Sequence, residues 1–185
     1  HLLAQVVDRI VAQGGDAMGA PNTNAGQLVT QESSMRLLAV YGAVSFIADT
    51  ISTLPVNVFR SSKDAKTEIV TPRWLVNPNA ETDRVTFLVQ SLMSLLLDGN
   101  IFLVPLRNAT GQVQELWVLH PSWVQVDRPR PGGPRVYMVG GQPYTGELIH
   151  IPWMMQPGGL RGLSPIECAR QSIGLGLGAL EQGAQ

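Results

Sequence analysis

The sequence predicts an α+β domain in which mostly antiparallel strands pack against two long core helices, with a further helix at the C-terminal end. Three observations carry this prediction. Two long segments repeat apolar side chains at steps of three and four residues, as amphipathic helices do. Short alternating segments between and after them are separated by turns rich in Gly, Pro and Asn. Finally, a glycine-rich loop at residues 158–162 leads into a strong helix start.

Charge and hydropathy limit the kinds of partner that the chain can bind. Of its 185 residues, 44% are hydrophobic and only 15% are charged, against roughly 25% charged in typical soluble domains. The net charge is −1 and no run of Lys and Arg occurs, so tight binding to nucleic-acid phosphates is not expected. A surface this poor in charge predicts that a partner covers part of it.

Several common classes of protein are not indicated. Cys168 is the only cysteine, which rules out an internal disulfide and a cysteine-rich zinc site. The apolar run around Leu95 is interrupted by polar residues and is shorter than the ~18 residues of a membrane span. Residues 1–13 carry Asp8 and Arg9 inside their apolar portion, unlike a signal peptide. We therefore expect no membrane association and an intracellular site of assembly.

The composition indicates one internal boundary. Within residues 1–13, Leu2, Val6 and Ile10 share one helical face, which allows a short amphipathic helix. Residues 14–31 are rich in Gly, Ala, Asn and Thr, a composition typical of a flexible connection. The sequence thus predicts a flexible N-terminal arm at residues 1–31 and one α+β domain at residues 32–185.

The two long helices have clear boundary signals. Ser33 or Ser34 is expected to cap a core helix that runs to about Thr53, with an apolar stripe formed by Leu37, Val40, Tyr41, Val44, Ile47, Ile51 and Leu54. The second helix begins near Thr82 or Asp83 and ends at Asp98, with Gly99 as its C-terminal cap. Its expected buried face is Val85, Leu88, Leu92, Leu95 and Leu96, widened by Phe87, Met93 and Leu97. Such a wide face predicts contacts on two sides.

The remaining segments read as strands and turns. A short helical turn lies between Pro72 and Asn79, with Trp74 and Leu75 expected to pin it to the core. Alternation and turn residues predict strands at residues 56–60, 68–70, 101–106, 113–119, 123–127, 136–139, 142–144 and 147–152.

The last helix has the best-specified start in the chain. Ser164, Pro165 and Glu167 occupy the positions N-cap, N1 and N3, so the serine oxygen can accept from the Glu167 N–H and the carboxylate can reach back. The predicted helix runs from Pro165 to about Gly183. Glycines at 174, 176 and 178 each weaken it by about 1 kcal/mol relative to alanine. It is therefore expected to need a neighbour.

A search for catalytic or ligand-binding motifs finds little. The chain has no Gly-x-Ser-x-Gly and no Walker A sequence, and its carboxylates are scattered singly. His120 and His150 are expected to be structural, and Cys168 to be a small buried residue. We therefore expect no enzyme activity, no cofactor and no metal. One alternative stays open, an enzyme that uses His150, Cys168 and a carboxylate in a cleft below the glycine loop.

The order of several motifs resembles that of a known family. Residues 33–59 resemble the opening segment of phage portal proteins of the HK97 type, with Val-Tyr-x-x-Val, Ile-Ala-x-x-Ile and Leu-Pro before a strand. Further motifs similar to those of the family follow in the same order, at residues 77–79, 98–100, 117–121, 148–151 and 159–167. The resemblance covers residues 33–183.

This resemblance implies a structural role. Portal proteins of this family form a ring, typically of twelve subunits, at one capsid vertex, through which double-stranded DNA is packaged and ejected without sequence-specific binding. The implied partners are further copies of the chain, the major capsid protein, terminase and head-to-tail connector proteins. The implied location is the virion, after assembly in the cytoplasm of a bacterial host. A non-portal virion adaptor module with the same layout is the alternative.

The resemblance also assigns a place to the C-terminal loop. In the family the last helix leads on to stem and clip segments, which this chain lacks, so the chain resembles the N-terminal wing region. Ser164, Pro165 and Glu167 would then form the joint between the wing and the helix toward the stem. The implied contacts with a neighbouring subunit are Leu160, Arg161 and Trp153.

The cap gives a first testable prediction. Replacing Ser164 by Ala removes the oxygen that accepts from the first helical turn and is expected to lower the free energy of unfolding by about 1 kcal/mol. Thermal unfolding followed by circular dichroism measures the change. An unchanged melting temperature would show that the helix starts elsewhere.

Overall fold

The computed structural model describes residues 29–61 and 66–183, and these form an α+β fold with antiparallel sheets, as predicted. The possible helix in residues 1–13 lies outside the described residues. The helices are α1 Gln31–Ser34, α2 Leu38–Ser52, α3 Arg73–Val76, α4 Arg84–Asp98, α5 Pro165–Cys168 and α6 Arg170–Gly183. The strands are β1 Val58–Ser61, β2 Lys66–Ile69, β3 Asn100–Arg107, β4 Val113–Leu119, β5 Val124–Asp127, β6 Val136–Val139, β7 Gln142–Tyr144 and β8 Ile149–Pro152.

The described strands form two three-stranded sheets and a separate hairpin. Strand β3 lies between β4 and β8, β6 lies between β5 and β7, and β1 pairs with β2; every pairing is antiparallel. The predicted hairpins at residues 101–119 and 136–144 are confirmed. None of the helices in residues 29–61 and 66–183 has the length and apolar character that a bilayer crossing requires.

Strand β3 is buried on both faces because its side chains alternate between two layers. Phe102 and Val104 point into the inter-sheet cluster, which they form with Leu119, Val124 and Val139. Ile101 and Leu103 belong instead to a helix–sheet cluster with Phe87 of α4 and Leu116 of β4. A third group, the helical cluster, joins the N-terminal and C-terminal helices through Val29, Val44, Leu97, Ile166, Ile173 and Leu177. Strand β3 thus connects the helices to the second sheet.

The first predicted helix is divided in two. Thr30, not Ser33 or Ser34, caps α1, and its side chain and that of Ser33 form a reciprocal capping box. A turn at residues 35–37 then separates α1 from α2. Leu37, the residue just before α2, has an extended backbone. The turn carries Leu37 toward α6, where it lies beside Gly176. A single helix would place Leu37 elsewhere, so tertiary packing overrides local propensity here.

The prediction that α2 is a core helix is wrong for much of its apolar stripe. Helix α2 buries only Val44, Ala48 and Ser52. Tyr41, Ile47, Ile51 and Leu54 are between 38% and 54% exposed. The reason is that α2 packs mainly on α4 and enters the helical cluster through Val44, which leaves the other side of its apolar stripe exposed.

Helix α4 has the predicted bounds but a different buried line. Asp83 accepts from the Thr86 N–H at 2.7 Å and Gly99 ends the helix in the left-handed conformation, φ 78°. The buried residues are Phe87, Ser91, Ser94 and Leu97, and Val85 is exposed. Both serines are buried, and their hydroxyls donate to the backbone carbonyls of Phe87 and Asn100. Contacts on two sides are confirmed, since Leu97 lies in the helical cluster and Phe87 in the helix–sheet cluster.

The C-terminal helix also differs in two details. It breaks at Ala169 into α5 and α6 instead of running unbroken to Gly183. Cys168, predicted to be buried, is exposed because the first turn of α5 buries Ile166 instead. Helix α6 does find the expected neighbour, since Ile173 and Leu177 pack in the helical cluster. Trp74 of α3, one of the two residues expected to hold the turn between Pro72 and Asn79 against the core, packs against the helix–sheet cluster.

Candidate functional site

Two turns that are distant in the sequence meet at one place in the structure. Residues 98–100, where α4 ends and β3 begins, lie against residues 161–164, which precede α5. The segment after β8 runs between them. The Trp153 N–H donates to the Gly99 carbonyl at 2.8 Å, and the Leu163 N–H donates to the Trp153 carbonyl at 3.1 Å. We call residues 98–100 together with residues 161–164 the junction.

The side chain of Asn100 is the centre of the junction. This residue is fully buried, with 0% of its surface exposed. Its Oδ1 accepts from the Gly162 N–H at 2.6 Å and lies 2.9 Å from Nε2 of His150. Its Nδ2 donates to Oδ2 of Asp98 at 2.7 Å. One buried amide therefore binds the end of α4, strand β8 and the loop before α5.

Two glycines allow the backbones to approach this closely. A Cβ at Gly162 would collide with the carbonyl oxygens of Gly99 and Trp153. A Cβ at Gly99 would collide with the Leu163 carbonyl, and the φ of Gly99 is positive. Only glycine fits at both positions without a backbone shift.

Arg161 attaches the loop to two further elements. Its guanidinium donates to Oδ2 of Asp98 at 2.7 Å and to the Val124 carbonyl at 2.6 Å, and it lies 5.2 Å from the ring centroid of Phe102. The side chains of Arg161 and Asp98 are 32% and 15% exposed, so water screens this ion pair only in part. Oδ1 of Asp98 also accepts from Gln31 at 3.0 Å. Arg161, expected from the resemblance to touch a neighbouring subunit, thus uses its guanidinium within its own chain.

Ser164 has two roles at the start of α5. Its Oγ accepts from the Glu167 N–H at 3.1 Å, and Pro165 is the first helical residue, which are the expected cap positions. The same Oγ donates to the Leu97 carbonyl at 2.8 Å, which ties the cap to the end of α4. The expected return of the Glu167 carboxylate to the cap does not occur. That carboxylate pairs instead with Arg170, three residues further on, at 2.9 Å.

His150 lies at the edge of the junction as a neutral group. Its ring stacks on Phe102, with centroids 4.4 Å apart, and it meets the ring of Tyr137 edge-on. Burial, followed by the nearby positive charges of Arg135 and Arg161, lowers the pKa of His150 to about 4. The neutral ring can carry its proton on Nε2, facing Oδ1 of Asn100, and accept from Arg135 on Nδ1 at 3.4 Å. His150 is thus structural, as expected.

The geometry gives no support to the catalytic alternative. Both ring nitrogens of His150 face Asn100 and Arg135, and the structure gives no contact between His150 and the exposed Cys168. His120 caps the short turn at residues 121–123 by accepting from the Ser122 N–H. Within the described residues, no group of three His, Cys, Asp or Glu side chains could hold a metal ion.

Sequence reasoning identified both turns of the junction but not their contact. In the sequence, Asp98 is only one of several scattered carboxylates and Asn100 only part of the motif at residues 98–100. The one available signal was that both segments appeared among the motifs of the resemblance. Of the two other proposed contact residues, Trp153 is 40% exposed and Leu160 is half-buried.

The close approach at Gly162 predicts a strong substitution effect. Gly162→Ala places a methyl group against two backbone carbonyls and is expected to lower the free energy of unfolding by more than about 1 kcal/mol. Gly42→Ala is the matched control, because Gly42 lies in α2 with open space around it and alanine is expected to stabilise a helix by about 0.5–1 kcal/mol. Urea denaturation measures the free energy of unfolding of both variants. A change of the same sign in both would contradict the close contact at Gly162.

The lowered pKa of His150 predicts a pH dependence of stability. In the unfolded chain His150 takes up a proton near pH 6.5, but in the folded chain only near pH 4. Its contribution to stability is therefore complete above pH 6.5 and is lost progressively as the pH falls to about 4. We expect the melting temperature to fall less between pH 7.5 and 4.5 in His150→Gln than in the unmodified chain. His120→Gln serves as the control, and the same fall in all three proteins would refute the assignment.

Comparisons with known proteins agree on one family. The model of the phage portal protein family matches residues 38–185. The probable portal protein of Streptomyces phage phiC31 is 36% identical over 177 residues, which is 87% of this chain and 38% of that protein. The chain therefore spans well under half the length of this relative.

Solved structures give the same result for the fold. The neck of an empty GTA particle matches with a TM-score of 0.68 at 25% identity, over 95% of this chain and 49% of that one. The virion of a native gene transfer agent particle matches with a TM-score of 0.66 at 26% identity, over 97% and 49%. An HK97 family phage portal protein from Corynebacterium diphtheriae matches with a TM-score of 0.62 at 14% identity, over 84% and 49%, which shows the shared fold. With the family model covering most of its residues, the chain belongs to the phage portal protein family.

Proposed function

We propose that this chain is the wing region of a portal subunit, a structural part of the ring at one capsid vertex. The observation that carries the proposal is the family match over residues 38–185. The chain spans 38% of the phage relative and 49% of each matched structure. Because of this partial coverage, three features are proposed for the whole subunit. They are the ring, its channel for DNA packaging and ejection, and its role as a docking platform.

The proposed partners follow from the same relatives. Structures of gene transfer agent necks were computed with C6 and C12 symmetry, which supports a ring of identical copies, twelve in the proposal. Terminase, the head-to-tail connector and the major capsid protein would dock on that ring after assembly in the bacterial cytoplasm. Double-stranded DNA would pass through the full ring without sequence-specific contacts. The net charge of −1 suits a wing that does not hold DNA.

The junction supports a mechanical role for the loop before α5. The cap at Ser164, Pro165 and Glu167 is bound to the end of α4, and Arg161 is bound to both α4 and β5. These contacts fix the direction in which α5 and α6 leave the sheets. We propose that the junction is the joint through which the wing holds the helix that leads toward the stem. Leu160 and Trp153 remain the proposed contacts with a neighbouring subunit.

We assign no catalysis to the chain. We divide it, as the sequence suggests, into an arm at residues 1–31 and a wing domain at residues 32–185. One structural detail refines the boundary. Val29, which falls in the proposed arm, is 3% exposed and packs in the helical cluster. Packing of the wing domain therefore begins no later than Val29.

Immunogold electron microscopy of purified particles tests this function. Antibodies raised against the 185-residue chain should label one vertex per particle, because a portal occupies a single vertex. Antibodies against the major capsid protein are the control and should label the whole shell. Label spread over the shell, or found only on tails, would contradict the portal role and favour an adaptor module.

A further inference from the structure

A concave apolar surface lies between helix α4 and the end of strand β4. We call it the α4 groove, and its volume is about 340 Å³. Helix α4 contributes Gln90, Met93 and Leu97 to the lining. The end of β4 and the turn that follows it contribute Leu119 and Trp123. The groove therefore runs along one face of α4.

The chemistry of the groove favours an apolar partner. Among the described residues that line it, none is Lys, Arg, Asp or Glu. Its titratable lining residue is His120, whose Nδ1 lies 2.7 Å from the hydroxyl of Ser122. A phosphate or carboxylate would find neither Arg nor Lys there. Apolar side chains, in contrast, would lose contact with water on docking, which is favourable.

The N-terminal part of the chain joins the domain beside this groove. The described residues begin at Val29, which is 3% exposed and packs in the helical cluster. Gln31 lines the groove, and its Nε2 donates to Oδ1 of Asp98 at 3.0 Å. The Cα atoms of Val29 and Gln31 are within about 8 Å of each other, because only two peptide units separate them. Residues 1–28 are thus tethered at a fixed point next to the groove.

Residues 2–10 have the apolar pattern that such a groove can bind. Leu2, Val6 and Ile10 recur at intervals of four residues, and in a helix they would share an arc of about 80°. Asp8 would lie on the opposite side of that helix. Amphipathic helices dock in apolar grooves through anchors at this spacing.

The lengths allow this segment to reach the groove of its own chain. In a helix its apolar stripe would be about 12 Å long, and the stretch of α4 from Gln90 to Leu97 is about 10 Å long. About 18 residues separate Ile10 from Val29, and a Gly-rich chain of this length has a root-mean-square end-to-end distance of about 20–25 Å. Such a short tether gives an effective concentration in the mM range, which favours the chain's own groove over that of a second copy.

We propose that residues 2–10 dock as an amphipathic helix in the α4 groove of their own chain. Leu2, Val6 and Ile10 face the groove, and Asp8 faces water. The docked segment covers the apolar lining of α4 and β4. This inference goes beyond the proposed function, since it concerns a contact within one subunit and holds whether or not the chain forms a ring. It makes the N-terminal arm a packed part of the wing domain.

Disulfide trapping tests the position of the segment in the whole chain. Cys168 is exposed and is first replaced by Ser. Cys is then introduced at Gln90, an exposed lining residue, together with Cys at either Gln5 or Gln13, which border the apolar stripe, so that every proposed anchor stays intact. Mild oxidation is expected to give an intrachain disulfide, seen as a faster monomer band on a non-reducing gel. The matched control replaces the Cys at Gln90 by Cys at Thr50, on the exposed side of α2.

Three results of the trapping would overturn the proposal. Linkage to Thr50 as fast as linkage to Gln90 would show that the segment has no preference for the groove. Linked dimers in place of linked monomers would show that it docks on a second copy. Absence of any linkage to Gln90 would show that it does not dock there.

Trypsin cleavage after Arg9, inside the segment, supplies a second measurement. The cleavage rate reports the fraction of chains in which the segment is released, because a docked helix resists the protease. Val6→Ser removes one apolar anchor and is expected to raise the rate about tenfold, while Gln5→Ser leaves it unchanged. Mass spectrometry of the released peptide 1–9 measures the rate, and synthetic peptides of residues 1–20 correct for direct effects on trypsin. Equal rates for Val6→Ser and the unmodified chain would overturn the docking.

Discussion

The buried amide of Asn100 is the interaction on which the arrangement of this fold depends. Its oxygen has two partners, the Gly162 N–H and His150, and its nitrogen donates to Asp98. Leaving such a group unpaired in the interior costs about 1–3 kcal/mol. The helix that ends at Asp98, strand β8 and the loop before α5 are therefore held in one relative position. The glycines at 99 and 162 are needed because this position brings three backbones into contact.

The opposite charges of Asp98 and Arg161, beside Asn100, pair with each other. Arg161 pairs with Asp98 where both are partly shielded from water, and its Nη1 donates to the Val124 carbonyl. Burial, followed by the charges of Arg135 and Arg161, lowers the pKa of His150 and keeps it neutral, so its ring can stack on Phe102 without the cost of a buried charge. The polar groups of the junction thus satisfy each other. Such a site holds the elements around it in place.

In contrast to the paired polar groups of the junction, the described surface has unpaired apolar groups, because large apolar side chains on α2 are exposed. Exposed apolar surface of this extent is typical of proteins that act within assemblies. A rigid junction and an uncovered apolar helix fit one mechanical requirement. In the ring proposed above, each subunit would keep its own elements in a fixed geometry while it buries surface against its neighbours.

The sequence by itself determined the local features of this protein. The caps at Asp83, Gly99 and Ser164 depend on residues only a few positions apart, and the strands of the β3–β4 hairpin and each motif of the family resemblance are short local patterns, so the sequence identifies them. Only the tertiary structure decided which side of α2 is buried, where the first helix breaks, and that Asn100 meets Gly162, 62 residues away. Periodicity shows that a helix has an apolar face but not how much of that face a neighbour covers. Hydrogen bonds between distant turns leave no periodic pattern, since they depend on how whole elements pack.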